Sequence, residues 1–208
     1  MPGLVLLPDR FFPLRNSAMQ FTARIFAISC LLLATGCAQI TMGPPKPTVE
    51  NTQALRSTPL APAKVGTFAV DAGKPAGMDQ RHSLRGGNSV QSPVQDSFAQ
   101  YLRQSLSVEL EAAGLLRPDA NAEITGTLLN SEVDAAIGTG TAVLQARFAV
   151  TRGGQQRYNK ELTERAQWES SFMGAVAIPL AAANYEGLYR KLVGQLVNDP
   201  DFRRALAP

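Results

Sequence analysis

Two alternating runs joined by a glycine pair, over 141–168, constrain the fold of this chain more than any other feature. In "TAVLQARFAVT", Ala142, Leu144, Ala146, Phe148 and Val150 fall on one side, with Thr141, Gln145, Arg147 and Thr151 on the other. A period of two belongs to a strand with one buried face. Gly153 and Gly154 in "RGGQ" can take the positive φ that a two-residue hairpin turn needs. The returning run, "QRYNKELTERAQW", has one wholly polar face: Arg157, Asn159, Glu161, Thr163, Arg165 and Gln167. Its other face carries Tyr158, Leu162, Ala166 and Trp168 but is interrupted by Lys160 and Glu164. That interruption predicts incomplete burial, as at a sheet edge.

The elements around this hairpin follow from local grammar. "KVGTFAV", 64–70, is rich in β-branched and aromatic residues and predicts a strand. A Gly-rich basic loop runs to about Gln91. In "SPVQDSFAQYLRQSLSVELEAAG", Ser92 suits an N-cap, Pro93 the first helical position and Gln95 a capping box. Phe98, Leu102, Leu106 and Leu110 form one apolar stripe, and Gly114 suits a left-handed C-cap. "AEITGTLLNSEV" predicts another strand. Tyr185, Leu188, Leu192 and Leu196 share a second helical face, and Asp199 with Pro200 opens a short helix, "DPDFRRAL". The expected fold is α+β: a largely antiparallel sheet of about four strands with two main helices packed on one face. The order is β-α-β-β-β-α, plus a short C-terminal helix. Residues 64–208 suffice for a single domain with its own core.

The N-terminal part has a different character. Ile25 to Leu33 is apolar apart from Ser29, and Arg24 precedes it. This core is well short of the roughly 20 residues of a membrane-spanning helix and fits a signal peptide. It ends in "LATGC", with Ala34, Thr35 and Gly36 directly before Cys37. The motif resembles the lipobox of bacterial lipoproteins. That resemblance implies that residues 1–36 are removed and that Cys37 becomes the first mature residue, lipidated on its sulfur and amino group. The segment before Met19, with Pro8, Pro13 and Asp9, does not suit a signal, so translation is expected to start at Met19, the alternative being an unusually long leader. Residues 37–63 hold Pro44, Pro45, Pro47, Pro59 and Pro62 and few large apolar side chains, which predicts a tether, the alternative being a packed arm.

Removal of the leader takes Arg10, Arg15, Arg24 and Asp9 from totals of 20 basic and 17 acidic residues, leaving a net side-chain charge of +1. The basic balance of the whole chain is therefore no argument for a nucleic-acid partner. Cys30 lies in the leader and Cys37 takes the lipid, so the domain has no thiol for an internal disulfide.

The lipobox cysteine, the "SFAQYLRQSLSVELEAAGL" helix, "AEITGTLLNSEVDAAIG", the "VTRGGQQRYNKEL" hairpin and the closing "DPDFRRAL" occur in a set order. In this layout the chain resembles the YajG-type uncharacterised lipoproteins. The resemblance implies an envelope lipoprotein without an assigned reaction. It lends no catalytic residues.

Chemistry-bearing patterns are sparse. His82, in "QRHSLRGGN", is the single histidine, and no G-x-S-x-G elbow marks a serine for it. It reads as a surface-loop residue. There is no H-x-x-x-H pair, cysteine cluster or calcium loop, so no metal or other cofactor is expected. "IGTGTAV" leads into a strand rather than the helix N-terminus a phosphate loop requires. Arg81 and Arg85 are candidate anion contacts on the Gly-rich loop.

"SSFMGAVAIPLAAAN" lies in a stretch without charge between Glu169 and Glu186. It reads either as a buried connection or as an apolar contact surface involving Trp168, Phe172, Met173 and Ile178. The expectation is a non-catalytic, lipid-anchored module of the cell envelope, attached to the membrane through Cys37 and binding an envelope protein or lipid partner. A carrier for a small apolar or lipid ligand and a hydrolase are the alternatives. Ala38, in place of the aspartate that often marks inner-membrane retention, is compatible with the outer membrane. Inner-membrane retention stays open.

Overall fold

The computed structural model describes residues 39–208; Cys37, the leader and the Met19 start lie outside the described residues. The chain order is β1 (Gln39–Thr41), α1 (Val49–Arg56), β2 (Ala63–Val70), β3 (Arg81–Ser83), β4 (Ser89–Gln91), α2 (Phe98–Ala113), β5 (Ala122–Asp134), β6 (Gly138–Arg152), β7 (Gln155–Ser170), α3 (Gly174–Asn198) and α4 (Pro200–Ala205).

The main sheet has the order β2-β5-β6-β7. β5, β6 and β7 are antiparallel neighbours, whereas β2 runs parallel to β5. A parallel neighbour demands a crossover, and α2 supplies it while packing over β2. The α+β expectation holds, with a mixed sheet. The Gly153–Gly154 turn forms at φ +58° and +75°, and β7 is an edge strand with Lys160, Leu162, Glu164, Ala166 and Trp168 only partly buried.

Phe98, Leu102, Leu106 and Leu110 of α2 are fully enclosed, as are Tyr185, Leu188, Leu192 and Leu196 of α3. Against them lie Ala142, Leu144, Ala146, Phe148 and Val150 of β6. Each large side chain enclosed in this way contributes about 1.5–3 kcal/mol of apolar transfer, which lets the domain dispense with disulfides.

Three local expectations need correction. The helix at Phe98 is capped by Ser97, whose side chain accepts from the Gln100 amide, and not by Ser92. Gln95 and Asp96 take positive φ of 52° and 50°, which no helix tolerates. Asp79 then fixes the start by accepting from Ser97 Oγ at 2.7 Å and from the Ala99 amide at 2.8 Å.

Second, the expected tether is folded over much of its length. β1 pairs with β4 in a small sheet β1-β4-β3, Met42 and Leu55 are buried, and α1 packs on α2 and α3. The prolines shape the connections, while Thr48 caps α1 by accepting from the Asn51 amide. Third, the uncharged segment after Ser171, read as a buried connection or a contact surface, is helical for most of its length. It forms the first turns of α3, which runs 25 residues through Pro179.

Candidate functional site

An irregularity in β5 builds a polar cluster inside the core. The register between β5 and β6 shifts between Leu128 and Asn130. A bulge of this kind turns the strand's alternation over by one residue. Ser131, opposite Leu144, and Val133, opposite Ala142, therefore face inward with the β6 core residues.

Beneath α3, Ser131 Oγ meets two partners. His82 Nε2 lies 2.8 Å away, and the Tyr185 hydroxyl also bonds it. His82 Nε2 is 3.1 Å from the same Tyr185 hydroxyl, which bonds the Tyr189 hydroxyl at 2.8 Å. The last two residues are one helical turn apart, so α3 itself sets their spacing. Tyr101 of α2 packs edge-on against Tyr189 and donates from its hydroxyl to the Gly43 carbonyl at 3.0 Å. The cluster thus ties β3, β5, α3, α2 and the β1 connection together.

His82 is not the surface-loop residue expected. It lies in β3, half-buried, with its ring stacked on Phe98. Burial disfavours the imidazolium and lowers its pKa from 6.5 to about 4, against the opposing pull of Glu132 and Asp79. Burial likewise raises the Tyr185 and Tyr189 hydroxyls well above their ordinary range.

The His82–Ser131 contact resembles half of a hydrolytic triad. Ser131 is only 2 % exposed, however, and its hydroxyl is held between imidazole and phenol. A substrate would have to displace this packing to reach it.

The two candidate anion contacts separate. Arg81 is exposed on β3 and lines an open groove with Asp79, Asp96, Gln91 and Gln39, where acidic neighbours offset its charge. Arg85, in the β3–β4 turn, donates from Nη2 to the Ser171 carbonyl at 3.0 Å. Its Nη1, Trp168 Nε1 and Ser170 Oγ are enclosed without a protein partner, all around the end of β7.

The apolar segment divides as well. Ile178 belongs to the core, and Trp168 is half-buried, its indole lying against Gly140 on the neighbouring strand. Phe172 and Met173, by contrast, are 78 % and 56 % exposed. The structure adds Val176 and Leu180 of α3 and Ile137 of the β5–β6 turn to the exposed set. Gly138 pairs with Ser170, which brings Ile137 beside the β7–α3 connection. Five of the six large apolar residues most exposed among the described residues therefore gather at one end; Val49 is the sixth. Ile137 carries no periodic signal in its own segment, and only the hairpin register reveals its place.

Among the described residues no group of three or more acidic, histidine or cysteine side chains is placed to hold a metal. No helix of the described residues is long and apolar enough to cross a membrane.

Neither the family models nor the curated proteins include a match to this chain. Solved structures do match. A protein of Xanthomonas campestris from the family DUF330 is 13 % identical, with a TM-score of 0.52, over 77 % of this chain and 95 % of its own. A minor lipoprotein of Acinetobacter baumannii is 14 % identical, with a TM-score of 0.43, over 70 % of this chain and 96 % of its own. At this identity the first likeness is one of fold.

Proposed function

We propose that this chain is a lipid-anchored cell-envelope lipoprotein, carried on Cys37, whose domain serves as a non-catalytic binding or accessory module on the periplasmic side of the outer membrane. The observation that carries the binding role is the exposed apolar end formed by Ile137, Phe172, Met173, Val176 and Leu180. Soluble domains seldom leave so many large apolar groups together without a contact to make. The "LATGC" motif supports the anchor.

Metabolic labelling with a tagged fatty acid tests the anchor: wild type labels and Cys37→Ser does not. A photo-crosslinking residue at Phe172, set against one at Val49, tests the surface. Equal labelling of Cys37→Ser sinks the anchor, and equal crosslinking at the two positions sinks the surface.

A hydrolase has one observation in its favour, the His82–Ser131 contact at 2.8 Å. Failure of a fluorophosphonate to modify Ser131 in the folded protein disposes of that reading.

A further inference from the structure

We infer that the exposed apolar end lies against the bilayer itself and holds the domain in one orientation on the membrane. This inference rests on the anchor proposed above and deepens it by naming the partner of the surface.

The argument begins with chain direction. β1 is parallel to β4, with Gln39 opposite Ser89 and Thr41 opposite Gln91. Gln39, the upstream end of β1, therefore lies beside Ser89, which follows closely on the β3–β4 turn, residues 84–88. That turn carries Arg85, whose guanidinium donates to Ser171 O, next to Phe172. A Cβ on Gly174, in the first turn of α3, would also lie 3.9 Å from Arg85 Nη2. The strand exit, the turn and the apolar end are thus linked by one strand spacing and one side chain.

Cys37 stands two residues upstream of Gln39. Each residue spans at most about 3.6 Å, so an acylated Cys37 is held within about 7 Å of Gln39. A long tether would let the domain roam, but β1 removes that freedom by pairing almost at the lipid. The end of the domain that carries Gln39 then has to sit at the bilayer surface. A protein seeking the apolar end would have to enter between domain and membrane.

The composition of that end fits an interfacial seat. Phe172, Met173, Ala175, Val176, Pro179, Leu180 and Ala183 are all exposed, and all are uncharged. A face of this kind gains by entering the boundary between headgroups and acyl chains while the domain stays in water.

Trp168 is the sole tryptophan of the chain and lies four residues before Phe172, so the protein carries its own probe. Full-length protein, processed and acylated, is placed on vesicles of phosphatidylethanolamine and phosphatidylglycerol with brominated acyl chains. Trp168 emission is expected to be quenched relative to vesicles without bromine. The double variant Phe172→Ser with Met173→Ser should remain vesicle-bound through its lipid but lose most of the quenching, and Ile137→Ser should lose part of it. Val49→Ser should lose none. Melting curves confirm folding, and Ile137→Ser serves alone if the double variant unfolds.

Quenching unchanged by both patch variants overturns the inference. So does a bound wild-type protein whose Trp168 is not quenched, the result expected if a protein partner takes the surface instead. The mass of the mature protein reports on the anchor separately. Should acyl groups be absent, the proposed anchor falls, and quenching of the unacylated chain added to the same vesicles still judges the surface.

Discussion

The imidazole of His82 lies flat on the ring of Phe98, with centroids 4.5 Å apart and planes 5° from parallel. Phe98 opens α2, and its partner belongs to a strand of three residues that local sequence does not mark as core. The stack encloses a titratable group, which sets up a test by pH.

His82 has a folded pKa of about 4 against 6.5 for an unperturbed imidazole. Above pH 6.5 both folded and unfolded chains carry it neutral, and its contribution to stability is whole. As pH falls from 6.5 towards 4, the unfolded chain takes up the proton while the folded chain resists, so stability falls. Below about 4 both are protonated and the loss stops, on the order of 3 kcal/mol in all. Urea denaturation from pH 7 to 4 should show this slope in wild type and lose its His82 share in His82→Gln. An NMR titration of His82 at its unperturbed value would refute the account.

Glu109 of α2 is 1 % exposed and holds the start of α1. Its Oε1 accepts from the Thr48 amide at 2.9 Å, Thr48 Oγ1 at 3.1 Å and Asn51 Nδ2 at 2.9 Å. A carboxylate at a helix N-terminus meets unsatisfied amides and the positive end of the helix dipole. Glu109→Ala is expected to cost about 3 kcal/mol by leaving buried donors unpaired. Hydrogen exchange should quicken across Val49–Arg56 before it does in α2. Uniform loss of protection would show that α1 has no separate hold.

Gly140 pairs with Trp168 across β6 and β7, and a Cβ at Gly140 would fall 2.3 Å from the indole. Gly140→Ala must push the ring outward. We expect emission from Trp168 to shift to the red and stability to drop by about 1–3 kcal/mol from overpacking. Unaltered emission would mean that the strand yields instead.

Deletion of residues 1–18 should leave the amount, mass and location of mature protein unchanged if translation begins at Met19. Immunoblots of membrane fractions read the result, and lost export would assign a role to the early segment.

Much of the sheet and both long helices were legible because each is a local repeat. Alternation over 141–168 placed the hairpin and its half-buried edge, and four-residue spacing placed the buried stripes of α2 and α3. The capping of α2 was misplaced because Asp79 reaches Ser97 and Ala99 from outside the helix. The arm before β2 is poor in apolar residues, yet Met42, Leu55, the β1–β4 pairing and the Glu109 carboxylate together seat it.

The sequence by itself determined where the chain is period two, where it is helical, and that one uncharged segment awaited an explanation. Only the tertiary structure decided which residues of that segment face out, with Ile178 inward and Phe172 outward. It also brought Ile137 beside them and, through the β5 bulge, turned Ser131 towards His82. A bulge changes the phase of a strand without a mark in composition, and a register joins residues far apart in the chain. Local periodicity describes one face of one element, whereas a site is made where the faces of several elements meet.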